Sequence, residues 1–116
     1  MNLPNAEYAL VTPEKITRYL LDPANPRNRG KATVFFAVGY TREQWERLIV
    51  DLLAHGQIFP VETEEQRGAD RVYTVLGPLV GPNGATRLIR TVWQIDAGTD
   101  FPRLITAVPA RHERRM

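Results

Sequence analysis

The 116-residue chain has no cysteine, two histidines, and two lysines against thirteen arginines. Without cysteine there is no disulfide, thiolate zinc site, iron–sulfur cluster or cysteine nucleophile. With only His55 and His112 to draw on, a multi-histidine metal site is excluded as well. There is no G-x-S-x-G elbow, P-loop, dinucleotide glycine fingerprint or H-E-x-x-H pair, which removes the common routes to hydride, nucleotide-triphosphate and zinc chemistry. No apolar run approaches the length of a bilayer span. The start, Met1-Asn2-Leu3-Pro4-Asn5-Ala6-Glu7, carries neither a basic nor an apolar targeting region. The expectation is a cytoplasmic protein without membrane association, metal or cofactor.

The composition is 43% hydrophobic and 24% charged, enough at this length for one compact domain and too little for two. A net charge of +2 and a pI of about 9.3 suggest nucleic acid until the charges are located. Residues 111 to 116 read Arg-His-Glu-Arg-Arg-Met; without their three arginines and one glutamate, the 15 basic and 13 acidic residues fall to twelve of each. The expected organisation is therefore a formally neutral domain over 1–110 and a basic tail over 111–116.

Helix signals come first. Thr12-Pro13-Glu14-Lys15 combines an N-cap hydroxyl, a proline at the first helical position and an acid in the first turn, and Ile16, Tyr19 and Leu20 follow at the spacing of a buried stripe. Pro23 ends that helix. Residues 23–30, Pro-Ala-Asn-Pro-Arg-Asn-Arg-Gly, form a polar loop with no core residue. The run from Lys31 to Tyr40 suits either a strand or a short helix and is read as a helix. Thr41-Arg42-Glu43-Gln44 reads as a capping box. Trp45, Leu48, Ile49, Leu52 and Leu53 then share one helical face, with Gly56 as the stop.

After Gly56 the period changes to alternating runs at about 58–64, 71–79, 87–95 and 102–108, separated by turns such as Gly81-Pro82-Asn83-Gly84 and Ala97-Gly98-Thr99-Asp100. Two or three helices followed by four such runs predict an α+β fold, with the helices packed on one face of an antiparallel β-meander. Glu62, Glu64 and Glu65 read as a solvated face beside a turn. His55, at the end of the amphipathic helix, is expected to interact with the last carbonyls through its charge. Trp45 and Trp93 are expected in the core.

The remaining chemistry lies in cations and hydroxyls: Lys15, Tyr19, Arg27, Arg29, Lys31, Arg90, Arg103 and Thr106. Metal-free phosphodiester cleavage needs a base for the ribose 2′-hydroxyl, an acid for the leaving oxygen and cations at the charge that develops on phosphorus. Lysine, arginine and tyrosine supply these roles when neighbouring charge lowers a lysine pKa. An exposed ion-pairing role is the alternative for each of them. Arg103 and Thr106 would point to opposite faces of a regular strand, so they share a surface only if a bulge intervenes.

Asn5-Ala6, Lys15-Ile16 with Tyr19-Leu20-Leu21, Gly30-Lys31-Ala32 with Phe35-Phe36, Gly39-Tyr40 and Leu53-Ala54-His55 occur in the first half. Gly77-Pro78-Leu79, Pro82 and Gly84, Arg90-Thr91-Val92-Trp93 and Pro102-Arg103-Leu104-Ile105-Thr106-Ala107 with Pro109 follow. In this order and combination they resemble a bacterial family catalogued as a domain of unknown function, number six thousand eight hundred eighty-three. The first half is also similar to toxin domains of the barnase, EndoU, colicin and RelE-like ribonuclease fold. Members of the family are often encoded beside another short reading frame, which implies a toxin–antitoxin arrangement. Where relatives commonly carry histidine before proline in the polar loop, this chain has Asn25-Pro26, and asparagine is no general base.

The resemblance implies a metal-independent endoribonuclease toxin with RNA as substrate and a small cognate antitoxin or neighbouring protein as partner. Lys31 would be the base or charge stabiliser, Tyr19 would donate or relay a proton, and Arg90 would act with them on the phosphate. Lys15, Arg103 and Thr106 would bind the substrate, with Thr106 orienting the phosphate. The alternative is a non-catalytic protein- or RNA-binding module, such as a degenerate toxin or an immunity or antitoxin-like partner.

Overall fold

A computed structural model describes residues 1–110, so the expected basic tail lies outside the described residues. A 3-10 turn, Ala6–Tyr8, precedes helix α1, Pro13–Lys15, which passes directly into a π-helical turn, Ile16–Leu20. Helices α2, Lys31–Ala37, and α3, Trp45–Ile58, follow. Strands β1, Val61–Arg67; β2, Asp70–Val80; β3, Thr86–Ile95; and β4, Arg103–Pro109, form one antiparallel sheet in the order β1-β2-β3-β4. This is the α+β meander expected from the change of period, with the ambiguous run from Lys31 helical.

One face of the sheet carries Tyr73, Val75, Ile89, Trp93, Leu104 and Ala107, all buried in a common core with Ile16, Leu20, Phe35, Leu48 and Leu52 from the helical layer. Each fully buried leucine of α3 contributes about 1.5–3 kcal/mol relative to exposure. The opposite face presents Thr74, Leu76, Arg90, Val92 and Gln94, which are half-buried. No helix among the described residues is long and apolar enough to cross a membrane.

Several local expectations are corrected. The buried positions of the first helix are Ile16, Leu20 and Leu21, not Ile16, Tyr19 and Leu20. The Leu21 amide bonds the Ile16 carbonyl at 2.8 Å, five residues back, and in this wider turn Tyr19 is only partly buried, packed against the core. Helix α3 does not stop at Gly56 but runs to Ile58. Gly56 is there for space: a Cβ would lie 2.7 Å from Trp93 Cζ2, so the glycine lets helix and indole touch. Of the expected capping box only the threonine half forms, Thr41 Oγ1 accepting from the Gln44 amide at 3.1 Å; Gln44 itself occupies the N-cap without a side-chain bond. Strand β1 continues to Arg67, so Glu64 and Glu65 lie within the strand instead of beside a turn.

His55 does not hold the helix end through charge. It is buried, 2% exposed, with Nε2 3.0 Å from the Gly77 carbonyl and 3.1 Å from the Ile89 carbonyl. Two carbonyls require a donor, so Nε2 carries the proton and Nδ1 accepts from the Thr91 hydroxyl at 3.0 Å. Thr91 in turn accepts from Trp93 Nε1 at 2.8 Å, which completes a satisfied chain from helix to sheet. Burial holds the imidazole pKa below its usual value, and the bonds to the Gly77 and Ile89 carbonyls oppose that shift without reversing it.

Candidate functional site

The polar loop after α1 is built from asparagines. Asn28 is 1% exposed, which corrects the expectation that this loop places nothing in the core. Its Nδ2 donates to the carbonyls of Tyr19 at 2.5 Å and Leu20 at 3.1 Å, and its Oδ1 accepts from the Ala32 amide at 2.9 Å. The Leu20 carbonyl and the Ala32 amide are groups that the end of the π turn and the start of α2 leave open, so one side chain ties the two segments together. Asn25 does the same nearer the surface: Nδ2 donates to the Arg18 carbonyl at 2.5 Å and Oδ1 accepts from the Arg27 amide at 2.9 Å. The turn into α2 passes through Arg29 and Gly30 with φ of 52° and 85°. The left-handed conformation suits glycine and costs arginine free energy, which the Asn28 bonds on either side offset.

That frame sets the cations. Lys15 and Tyr19, one helical turn apart, place the Lys15 ammonium 5.4 Å from the Tyr19 ring centroid. Lys31, at the start of α2, brings Nζ to 5.7 Å from the same ring while donating to the Asn28 carbonyl at 3.3 Å. Both contacts lie within the range of cation–π attraction. The Tyr19 hydroxyl meets Thr106 Oγ1 at 2.8 Å, joining the π turn to β4. Lys15, Tyr19, Asn25, Arg27, Ile105 and Thr106 line a pocket of about 350 Å³ between the helical turn and the sheet edge. Burial holds the Lys15 pKa below the usual lysine value; the Tyr19 phenol oxygen opposes this, and the Arg103 and Arg27 charges add to it.

The bulge that Arg103 and Thr106 require is present. Strand β4 pairs Val92 with Thr106 but Trp93 with Leu104, so Ile105 is the extra residue. Leu104 and Ala107 both face the core, and the residues between them, Ile105 and Thr106, face away. Arg103 is opposite Gln94 and Thr106 opposite Val92, which puts the two on one face of the sheet together with Arg90. The two sheet arginines are nevertheless engaged. Arg103 grips Asp96 with Nε at 2.6 Å and Nη2 at 3.1 Å, and this pairing, with a bond from Gln94, holds the Asp96 carboxyl below its usual range. Arg90 reaches back across β2 to Glu62, at 2.8 and 3.2 Å, and so leans away from the pocket. Its hydrogen bond lowers the Glu62 pKa.

The structure thus gathers Lys15, Tyr19, Lys31 and Thr106, sets Arg103 beside them against a carboxylate, and directs Arg90 elsewhere. Arg27 joins the pocket. Ile105 and Asn28 carry no sequence signal of their own role: a bulge has no fixed residue signature, and a buried asparagine reads as an ordinary loop residue. Among the described residues, Lys15, Arg18, Arg27, Arg29 and Lys31 form no ion pair, while the one carboxylate in that stretch, Asp22, lies 3.6 Å from Arg42. The neutral body is therefore polarised, with an excess of positive charge at this rim.

No curated protein matches the chain in sequence. Among solved structures, a chain of the contact-dependent growth inhibition toxin–immunity protein complex from Klebsiella pneumoniae 342 superposes with a TM-score of 0.71 at 12% identity, covering 92% of this chain and 97% of that one. At that identity the likeness is one of fold. In sequence, residues 2–111 match the model of the family described as Domain of unknown function (DUF6883), and the chain belongs to that family.

Proposed function

We propose that the protein is a metal-independent endoribonuclease of toxin–antitoxin type that acts on RNA in the cytoplasm and is held in check by a small cognate protein. The observation that carries this reading is the pocket that joins a desolvated lysine to a hydrogen-bonded pair of hydroxyls under cations that lack carboxylate partners. Lys15, whose pKa is lowered, takes the proton of the ribose 2′-hydroxyl. The 2′-oxygen attacks phosphorus, the bond to the 5′-oxygen breaks, and Tyr19 protonates the leaving oxygen, with Thr106 holding the phenol in place. Lys31, Arg27 and Arg103 stabilise the charge that develops on the phosphoryl oxygens. Arg90 has a supporting part, bracing the sheet face through Glu62. The growth-inhibition complex of similar fold supports the toxin–antitoxin class and a cognate partner.

The test is incubation of purified protein with RNA in a chelator. Fragments ending in 2′,3′-cyclic phosphate and beginning with 5′-hydroxyl are expected, and their disappearance in Lys15→Ala. Intact RNA at high enzyme concentration overturns the reading.

One observation favours the non-catalytic alternative. Asparagine is no general base, both polar atoms of the Asn25 side chain are engaged by the Arg18 carbonyl and the Arg27 amide, and His55 is buried away from the pocket. RNA bound in a salt-dependent manner but left intact would establish a binding module, and stable association with a small acidic protein without RNA affinity would establish an immunity-type partner.

A further inference from the structure

A second depression, of about 570 Å³, is lined by Tyr8, Ala9, Leu10, Asp100 and Phe101. Its apolar surface is not part of the core. Tyr8 is 70% and Leu10 44% exposed, a concentration of large apolar side chains in one groove rather than the scattered singles of an ordinary surface. The walls are fixed. Asn5 Nδ2 donates to the Asp100 carbonyl at 2.6 Å, the Tyr8 amide bonds the Asn5 carbonyl at 2.9 Å, and Leu10 bonds Pro102 and Leu104 at 2.9 Å each.

The two depressions are neighbours. Leu10 bridges Arg103 in parallel, and Lys15 feels the Arg103 charge. From Phe101 to Thr106 the chain spans at most about 17 Å, the reach of a few nucleotides. The groove and the pocket differ in charge. The pocket holds cations, whereas the groove holds the Asp100 carboxylate, whose side chain has no partner among the described residues. A phosphate is repelled from Asp100 and drawn to Lys15, Arg27 and Arg103, while an aromatic face suits Tyr8 and Phe101.

We infer that the groove is a base subsite for single-stranded RNA: a nucleobase one or a few positions from the scissile phosphate stacks on Tyr8 and Phe101, and Asp100 accepts a hydrogen bond from its amino group. This rests on the ribonuclease reading above and adds the substrate class. Stacking needs an unpaired base, and each stacked base strengthens binding about 5- to 150-fold. A carboxylate accepts from the amino group of guanine, adenine or cytosine, whereas uracil has no amino group and offers only its ring N3–H, between two carbonyls that repel the second carboxylate oxygen.

The test is binding of fluorescent 2′-O-methyl RNA oligonucleotides, which cannot be cleaved, to the whole chain at fixed salt. An unstructured mixed-sequence strand is expected to bind at least 10-fold more tightly than its duplex and than oligouridylate. Tyr8→Ala is expected to lose about 10-fold, Tyr8→Trp to keep the affinity, and Asp100→Asn to narrow the gap to oligouridylate. Circular dichroism and thermal melts of the variants confirm that they fold. If RNA binds but strand, duplex and oligouridylate bind alike, and Tyr8→Ala matches the parent, the subsite is refuted while the ribonuclease reading stands. If no RNA binds and none is cleaved, the ribonuclease reading itself falls, and the subsite with it.

Discussion

The hydroxyls of Tyr19 and Thr106, 87 positions apart in the chain, meet at 2.8 Å. Each partner lies at a departure from regular structure, Tyr19 in the π turn and Thr106 beside the bulge at Ile105, and the Tyr19 ring centroid lies 5.4 Å from the Lys15 ammonium and 5.7 Å from that of Lys31. Thr106→Val should remove about 1 kcal/mol of stability. If Thr106 positions Tyr19, Thr106→Val in a Tyr19→Phe background should cost no further RNA-cleaving activity. A double-mutant cycle on kcat checks this, and additive losses would show that the two act separately.

Lys15 is assigned the role of base because burial lowers its pKa. Lys15→Arg keeps the charge but has no neutral form in the working range. Cleavage should fall by about 10²-fold or more, and RNA affinity should change little. A pH–rate profile of the parent should rise with deprotonation of a group below the ordinary lysine range, and Lys15→Arg should lose that limb.

Gly56→Ala should destabilise the protein although alanine is the better helix former. The gain in propensity is about 1 kcal/mol, but the new methyl lies 2.7 Å from Cζ2 of a fully buried Trp93. Overpacking of this kind costs about 1–3 kcal/mol. Urea unfolding followed by tryptophan fluorescence should show a lower midpoint with an unchanged slope.

His55 predicts an acid limit to stability. Its folded pKa is below the unfolded value of 6.5, so the unfolded chain binds the proton more readily. The contribution is fully present above pH 6.5 and is lost as pH falls from there toward the lowered folded value. Glu62 and Asp96, whose pKa values are also lowered, contribute above their unfolded values of 4.5 and 3.8 and lose that contribution at more acidic pH. Unfolding free energies measured at pH 7.5 and 5 should therefore differ in the parent, and the difference should shrink in His55→Gln.

Asn28→Ala should lower stability by about 1–3 kcal/mol, because it strands the Leu20 carbonyl and the Ala32 amide near the core and leaves the Tyr19 carbonyl only its bond from the Asp22 amide. Amide hydrogen exchange should quicken first at the start of α2. Asn25→Ala, in the more exposed part of the loop, should cost less.

The long-period and short-period patterns were legible because they report burial directly. Leu48 and Leu52 on α3, and the alternation of Ile89, Thr91, Trp93 and Ile95 on β3, could face the core in only one way. Lys15, Tyr19, Lys31 and Thr106 were legible only as a set of cations and hydroxyls, which the structure brings close together. The π turn, the Ile105 bulge and the close approach at Gly56 were not, because each depends on what packs opposite and leaves no mark in spacing. His55 was misread for the same reason: a helix-end histidine looks like a charge until Gly77 and Ile89 are seen to need a donor. Arg90 has the right face, but Glu62, two strands away, decides where its guanidinium goes.

The parallel bridge between Leu10 and Arg103 makes β4 the meeting point of the earliest and latest parts of the described chain. During ribosomal synthesis α1 and its loop emerge long before β4, and until that strand docks, Tyr19 has no Thr106 and the pocket has no outer wall. The contacts that complete the site are also among the most distant in sequence, so they close last and carry the largest loop-closure entropy. A nascent or truncated chain would hold the cations without their arrangement. Whatever the pocket binds, its full lining would be assembled only at the end of folding.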